Sequence, residues 1–433
     1  MIERNEYLET FKKWKDKDLI KVVTGIRRCG KSTLFELFIN YLKQIGVKDD
    51  HIISLNLESP EYNFNDYMEL YNYVNDKIID KDMYYVFLDE VQVVDKFEKA
   101  VDGLYIKKNV DEYITGSNAY LLSGELATLL SGRYVEFKMF PLSFKEYADY
   151  YKQEGDEKLY LKYVNNSSMP YALKIDNQNE IDKYLDSIYN TIIVKDIATR
   201  KKIADTGMLR SVSEFMFSSV GNVLSVKKIA DTLTSNGRRI SVHTVESYLD
   251  SLVESFIFNK VSRYDIKGKQ YLQSGEKYYA TDVTMRYALL GRKNIDLGHI
   301  LENIVYLELV RRGYKVYIGK SGDKEIDFVA ENSSGVRYFQ VAYTVRDKNT
   351  LERELSVLES INDHYPKYIL TMDIDPEVDY NGIRKMNVLD WLLDKWLGAG
   401  CKWYTLFLIL IFIIVTLLNI VIDLLKMLMK WMR

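Results

Sequence analysis

Between Gly25 and Thr33 the chain reads Gly25-Ile26-Arg27-Arg28-Cys29-Gly30-Lys31-Ser32-Thr33, a G-x-x-x-x-G-K-S pattern. The two glycines permit backbone conformations in which successive N–H groups turn inward on an anion. Lys31 is then placed to reach the β and γ phosphates of a nucleoside triphosphate, and the Ser32 hydroxyl to ligate Mg²⁺. Two carboxylates, Asp89 and Glu90, end an apolar run. Asp89 is expected in the Mg²⁺ shell and Glu90 as the general base that polarises an attacking water. Ser117 and Asn118 end another run, where they either reach the γ phosphate or cap the helix that follows. Arg133 comes after Gly132 with a guanidinium suited to a γ-phosphate pocket, and Arg27, Arg28 and Arg200 are the next candidates for that role. The chemistry these residue types and spacings describe is hydrolysis of ATP with Mg²⁺.

Such groups work only if regular elements hold them together. Leu19 to Thr24 reads as a short buried strand, and Leu34, Leu37, Phe38 and Leu42 lie on one face of a helix that starts at Lys31. That strand-loop-helix context separates a phosphate loop from a glycine turn carrying a surface lysine. Tyr7, Leu8, Phe11 and Trp14 share one face of a lead-in helix. Further strands are expected at 51–57, 83–88 and 111–115, with helices between them, so strand and helix alternate as in a parallel sheet.

At 433 residues the chain is long enough for several domains. The formal charge of −3 argues against a bulk electrostatic grip on nucleic acid and leaves local basic patches to consider. Cys29 and Cys401 are the two cysteines, too few for a disulfide framework. The first residues lack the apolar core of a signal peptide, so the main body is expected in the cytoplasm.

Gly25 to Thr33 with its double arginine, Leu88-Asp89-Glu90, Thr115-Gly-Ser-Asn118, Gly132-Arg133, Pro141-Leu-Ser-Phe144 with Glu146, and Gly298-His-Ile-Leu-Glu302-Asn303 together resemble bacterial and archaeal AAA-type ATP-binding proteins that carry a C-terminal domain of unknown function. The resemblance covers roughly residues 1–395. It implies an α/β chain with an AAA-like P-loop NTPase core, a helical and winged-helix middle, and a restriction-endonuclease-like end. The corresponding expected units are an ATPase domain at 1–150, a helical lid or connector at 151–206, a winged-helix domain at 207–282 and a degenerate nuclease-like domain at 283–395. One departure is Asn165-Asn-Ser-Ser-Met169-Pro170, where such proteins usually show glycines.

The rest of the chain fills in this outline. Residues 180–200 have the pattern of one long helix, either a lid over the nucleotide or a bundle helix. Three helices at 208–220, 225–233 and 241–252, then two strands around a turn at 265–269, form a winged-helix pattern. The third helix carries Glu246 and Asp250, followed by Glu254, and no Lys or Arg, so a protein contact is favoured over DNA binding. In the last unit Glu302 and Asp327 match two positions of a PD-(D/E)XK nuclease, but Gln340 and Ala342 replace its glutamate and lysine. The fold is expected to survive this, and the cleavage chemistry to be lost. Residues 403–422 contain no charge and are long enough for a transmembrane helix, an anchor to the cytoplasmic membrane, although a helix buried in an oligomer or a fused tail fits the same pattern. ATP, a protein partner and homo-oligomeric copies are the expected associations.

Overall fold

The computed structural model describes residues 2–118, 130, 132–268, 270–292 and 296–395. The first unit is a parallel five-stranded sheet of β1 (Ile20–Thr24), β2 (Ile52–Asn56), β3 (Tyr84–Asp89), β4 (Val110–Gly116) and β5 (Tyr134–Lys138), in the order β2-β3-β4-β1-β5. Its central strands are buried on both faces, as their near-continuous apolar runs require. Side chains alternate between two cores. Phe87 and Tyr113 stack at 4.8 Å on one face, while Val86, Leu88 and Ile114 face the other. The lead-in helix Asn5–Trp14 closes the aromatic face, where the Phe11 ring centroid lies 5.3 Å from Phe38 and 5.2 Å from Phe137.

Beyond β5 the helices Phe144–Tyr151 and Glu157–Asn166 pack with helix Leu297–Arg311 and Trp391 in a single core. Helix Gln178–Thr191 was expected to continue unbroken to residue 200. It instead widens into a π-helix at Ile192–Thr199. Three consecutive β-branched residues, Ile192, Ile193 and Val194, are stiff in an α-helical turn, and in the wider turn Ile192, Ile193, Ile197 and Ala198 are all buried.

Helices Thr206–Ser218, Val226–Ser235 and Val242–Glu254 follow, the last two capped by the Ser225 and Ser241 hydroxyls. Short strand β6 (Val223–Leu224) pairs with β8 (Gln270–Ala280), and β8 with β7 (Phe258–Asp265). β9 (Lys315–Ser321), β10 (Lys324–Asn332) and β11 (Gly335–Ala342) form an antiparallel meander. Helix Lys348–Glu359 then leads to β12 (Lys367–Thr371), which lies parallel to β11. β13 (Val378–Tyr380) and β14 (Ile383–Asn387) complete a nine-stranded sheet that is continuous from β6 to β13, because β7 pairs in parallel with β9.

At the departure noted above, Ser167 sits at φ 86°, a region that favours glycine. Its hydroxyl donates to Asp282 at 2.7 Å, and the Ser168 hydroxyl and amide donate to the same carboxylate. Hydrogen bonds thus hold a turn that glycine would take without strain. Among the described residues no helix is long and apolar enough to cross a membrane. Residues 403–422, on which the transmembrane reading falls, and the helix expected after Asn118 lie outside the described residues.

Candidate nucleotide site

The sheet order places the C-terminal ends of β1, β3 and β4 side by side, and the loop after β1 wraps the start of helix Lys31–Gln44. Gly25 has φ 151°, and a Cβ there would meet the Met139 carbonyl oxygen at 2.2 Å. Only glycine lets this backbone lie so close to the segment after β5. Gly30, at φ 108°, turns the chain into the helix. Ile26 is buried and Arg28, at φ 69°, is exposed. Cys29 is buried with its sulfur 3.6 Å from the Met139 carbonyl oxygen, and burial pushes its thiol pKa up, so it packs rather than reacts. Thr33 is half-buried in the first turn.

Lys31 is buried and donates to the Gly25 carbonyl at 3.1 Å, with Glu90 Oε1 3.5 Å from its ammonium. Glu90 takes a left-handed backbone conformation, φ 54°, just after β3. Its Oε2 accepts from Gln92 at 2.6 Å and from the Ser117 hydroxyl at 3.0 Å. Burial alone would raise the Glu90 carboxyl, but Lys31, Gln92, Arg27 and Ser117 outweigh it and hold the group below the usual carboxylate range. Asp89 differs. Burial raises its pKa, against the lowering effect of hydrogen bonds from Ser32 and Thr115. The Thr115 hydroxyl donates to Asp89 at 2.5 Å and receives the Glu90 amide at 2.9 Å. Asn118 is buried at the end of the same segment.

Arg133 is elsewhere. Its carbonyl accepts from the Ile20 amide, at the start of β1, whereas the phosphate loop follows the end of that strand. Its guanidinium bonds Asp102 at 2.5 Å and lies over the Tyr105 ring. Five residues of extended strand span about 16 Å, so within one chain Arg133 does not complete the γ-phosphate pocket expected of it. Arg200 is also away from the loop, bonded to Glu254 at 3.0 Å.

Arg27 does reach another part of the fold. Its Nε and Nη2 donate to both oxygens of Asp196 in the π-helix, at 2.9 and 2.8 Å, and Lys195 pairs with Glu58 at 2.7 Å beside them. The Asp196 bond and charge keep the Arg27 guanidinium more firmly protonated than usual, against the opposing effect of burial. Arg4 is a further site residue that sequence reasoning missed. It is 2% exposed and donates to the carbonyls of Cys29 at 3.0 Å and Phe140 at 2.8 Å and to Glu146 Oε1 at 2.7 Å. Glu146 in turn receives the Ser143 amide in a capping box. No local signal marks Arg4, because its partners lie 25 to 142 residues away.

A second buried charged group joins the residues compared above with nuclease positions. Glu302 accepts from Lys277 at 3.0 Å and from the Tyr279 hydroxyl at 2.5 Å, and Lys277 also reaches Glu325 at 2.9 Å. Asp327 accepts the Val341 amide at 2.8 Å, and Gln340 receives the Asp327 amide at 3.3 Å. Burial and the neighbouring Glu302 push the Asp327 carboxyl up. Burial opposes charge on Lys277, but Glu302, Asp327 and Glu325 keep it protonated.

Comparison with known proteins agrees with this geometry. Residues 17–148 match the AAA domain family, and residues 157–296 match a domain of unknown function (DUF8612). An uncharacterized protein of Haemophilus influenzae is 40% identical over 400 residues, covering 91% of this chain and 99% of its own. The chain belongs to that AAA-domain family. Another relative, an uncharacterized protein of Methanocaldococcus jannaschii, is 30% identical over 363 residues, 78% of each chain. Among solved structures, a Walker-type ATPase of Pyrococcus abyssi has a TM-score of 0.42 at 16% identity, covering 67% of this AAA-domain protein and 96% of the other chain. AMPPCP-bound DnaA from Aquifex aeolicus has a TM-score of 0.29 at 14% identity, covering 57% and 86%. The family is one of P-loop proteins, with the α/β parallel sheet typical of that class.

Proposed function

We propose that the chain binds ATP with Mg²⁺ at Gly25–Thr33 and hydrolyses it. The observation that carries this reading is the convergence of Lys31, Ser32, Asp89, Glu90 and Ser117 at the ends of β1, β3 and β4. The residues present fit the group the family implies. Gly25 leaves the loop free of a Cβ, and the Ser32 hydroxyl and Asp89 carboxylate already share a hydrogen bond where hard oxygen ligands are needed. Those two would hold Mg²⁺, which supplies charge neutralisation on the phosphates. Lys31 binds the outer phosphates, and the loop amides and helix start orient them. Glu90, ionised near neutrality, accepts a proton from the attacking water, with Ser117 and Asn118 positioning it. Lys31→Ala is expected to abolish nucleotide binding or turnover, and Glu90→Gln to keep binding and stop phosphate release. Normal turnover by Glu90→Gln removes Glu90 from the base role.

A second reading, an ATP-gated regulator or scaffold with negligible turnover, draws support from one feature. Both Glu90 oxygens are already engaged, by Lys31 on one side and by Gln92 and Ser117 on the other. Phosphate release by purified protein separates the two.

In this proposal the nucleotide state acts on the C-terminal half. Support comes from a run of ion pairs: Arg27 to Asp196, then Arg200 and Lys201 at the π-helix end to Glu254 of helix Val242–Glu254. The order of helices 206–254 with β6, β7 and β8 supports a winged-helix module, and the helix-meander-helix-strand order of 297–371 supports a nuclease-like unit. Helix Val242–Glu254 exposes His243, Glu246, Ser247 and Asp250, which suits a protein partner better than phosphates. Lys277 already neutralises Glu302, in keeping with a nuclease-like unit that does not cleave.

A further inference from the structure

At the other end of the parallel sheet from the phosphate loop, His51 closes a short 3-10 turn before β2 while Asp80 and Asp82 lie in the loop leading into β3. Because β2 and β3 are parallel neighbours, their entrances adjoin. His51 is 4% exposed, its ring stacked on Tyr84 at 4.6 Å. One ring nitrogen, Nδ1, is 2.8 Å from Asp50 Oδ1. The other, Nε2, is enclosed without a hydrogen-bond partner among the described residues, and it lies 3.3 Å from Asp80 Oδ2 and 3.7 Å from Asp82 Oδ2. The three ligand atoms all lie within 4.8 Å of one another.

We propose that His51 Nε2, Asp80 and Asp82 form a site for a first-row divalent cation such as Zn²⁺, separate from the Mg²⁺ ligands at Ser32 and Asp89. In the tautomer with Nδ1–H donated to Asp50, the Nε2 lone pair faces two carboxylate oxygens, an arrangement that a cation between them satisfies better than the Lys48 ammonium, which lies 3.7 Å from Asp82 Oδ2 on an exposed side chain. Bonds of 2.0–2.2 Å in a tetrahedral shell put neighbouring ligand atoms about 3.4 Å apart, and the observed separations from Nε2 straddle that length. Asp50 supplies the outer carboxylate that fixes the tautomer and orientation of a metal-binding imidazole. The loop is braced before any ion arrives, since the Asn109 side chain donates to the carbonyls of Asp80 and Asp82, each at 3.2 Å, and the Asp82 amide to Asp80 Oδ1 at 2.9 Å. An imidazole donor selects against Mg²⁺ and Ca²⁺, which take oxygen. The exposed carboxylates leave the remaining coordination to water. The ion would join the starts of β2 and β3 without touching the phosphate loop.

The test is calorimetric titration of the chelator-treated full chain with Zn²⁺, alongside Asp82→Asn and the double variant Asp80→Asn with Asp82→Asn. Both carboxylates are exposed, so these variants keep the His51 packing, and His51→Gln serves as a third. The expected result is one Zn²⁺ per chain more in the parent than in the double variant, binding at least about tenfold weaker in Asp82→Asn, a Zn²⁺-dependent rise in melting temperature lost in the double variant, and unchanged ATP binding throughout. Co²⁺ loaded in place of Zn²⁺ should give tetrahedral visible bands that His51→Gln abolishes. Equal Zn²⁺ binding by parent and double variant, or no binding by the parent, overturns the proposal and leaves His51 as a packing residue beside the two aspartates.

Discussion

Arg27 in the phosphate loop and Asp196 in the π-helix form a two-pronged ion pair across 169 residues of sequence, with both carboxylate oxygens engaged. The nucleotide loop is therefore tied to the helical connector by its own side chain. Bidentate geometry and partial burial distinguish this pair from surface ion pairs that contribute little. Asp196→Asn is expected to cost about 1.5–3 kcal/mol of stability and to leave ATP binding in place. Hydrogen exchange should then show that ATP no longer changes protection in helix Val242–Glu254. An ATP-dependent change that survives in Asp196→Asn would sink the relay.

Arg133→Ala is expected to leave ATP affinity and single-chain turnover unchanged, because Arg133 lies at the entrance of β5 and pairs with Asp102. Both partners are more than a third exposed, so the loss of stability should stay below about 1 kcal/mol. A large fall in turnover measured at high dilution is the contrary result.

Removing Arg4 should be far more damaging. Arg4→Met leaves the carbonyls of Cys29 and Phe140 and the Glu146 carboxylate without their donor. Breaking a buried charged pair costs about 3–5 kcal/mol, and because Cys29 belongs to the phosphate loop, nucleotide affinity should fall with it. Thermal melting and ATP titration measure the two effects, and unchanged affinity would confine Arg4 to packing.

Glu112 gives a pH signature. It is buried on β4 with neither oxygen hydrogen-bonded among the described residues, and burial, reinforced by Asp111, raises its pKa well above the usual carboxylate range. A carboxyl raised in the folded state carries no penalty below its unfolded pKa and a growing one above it, since the unfolded chain gives up the proton first. Each pH unit in that window removes up to about 1.4 kcal/mol. Glu112→Met should therefore melt higher than the parent at pH 8, with the advantage shrinking toward pH 4. Parallel pH profiles of parent and variant are the outcome against it.

Lys277→Met should unfold the C-terminal unit more easily, by about 3–5 kcal/mol, because Glu302 and Glu325 lose their shared cation. Neither the parent nor this variant is expected to cut DNA or RNA with Mn²⁺ or Mg²⁺. Cleavage by the parent that disappears in Asp327→Ala would overturn the degenerate reading.

The phosphate loop, the Asp89-Glu90 strand end and the β-strands beside them were legible because their signals are local: two glycines at fixed spacing, an apolar run, then acids. Arg133 was misplaced for the same reason. A glycine-arginine pair at a helix exit does not say which end of the sheet it reaches, and only the pairing of Ile20 with Tyr134 sets Arg133 at the end of β1 remote from the loop. Arg4, Asp196 and Lys277 act on residues distant in sequence, so nothing in their neighbourhoods announced them. The π-helix was hidden because its apolar spacing also fits an α-helix over so few residues.

The parallel pairing of Arg263, Tyr264 and Asp265 with Ile318, Gly319 and Lys320 makes one sheet of what the sequence divides in two. A chain cut near residue 283 would expose the backbone edge of β7 on one fragment and of β9 on the other, each an unsatisfied template for another molecule. The sequence boundary is thus a poor place for scissors: the halves would be soluble only together, and mixing separately made fragments should rebuild the seam.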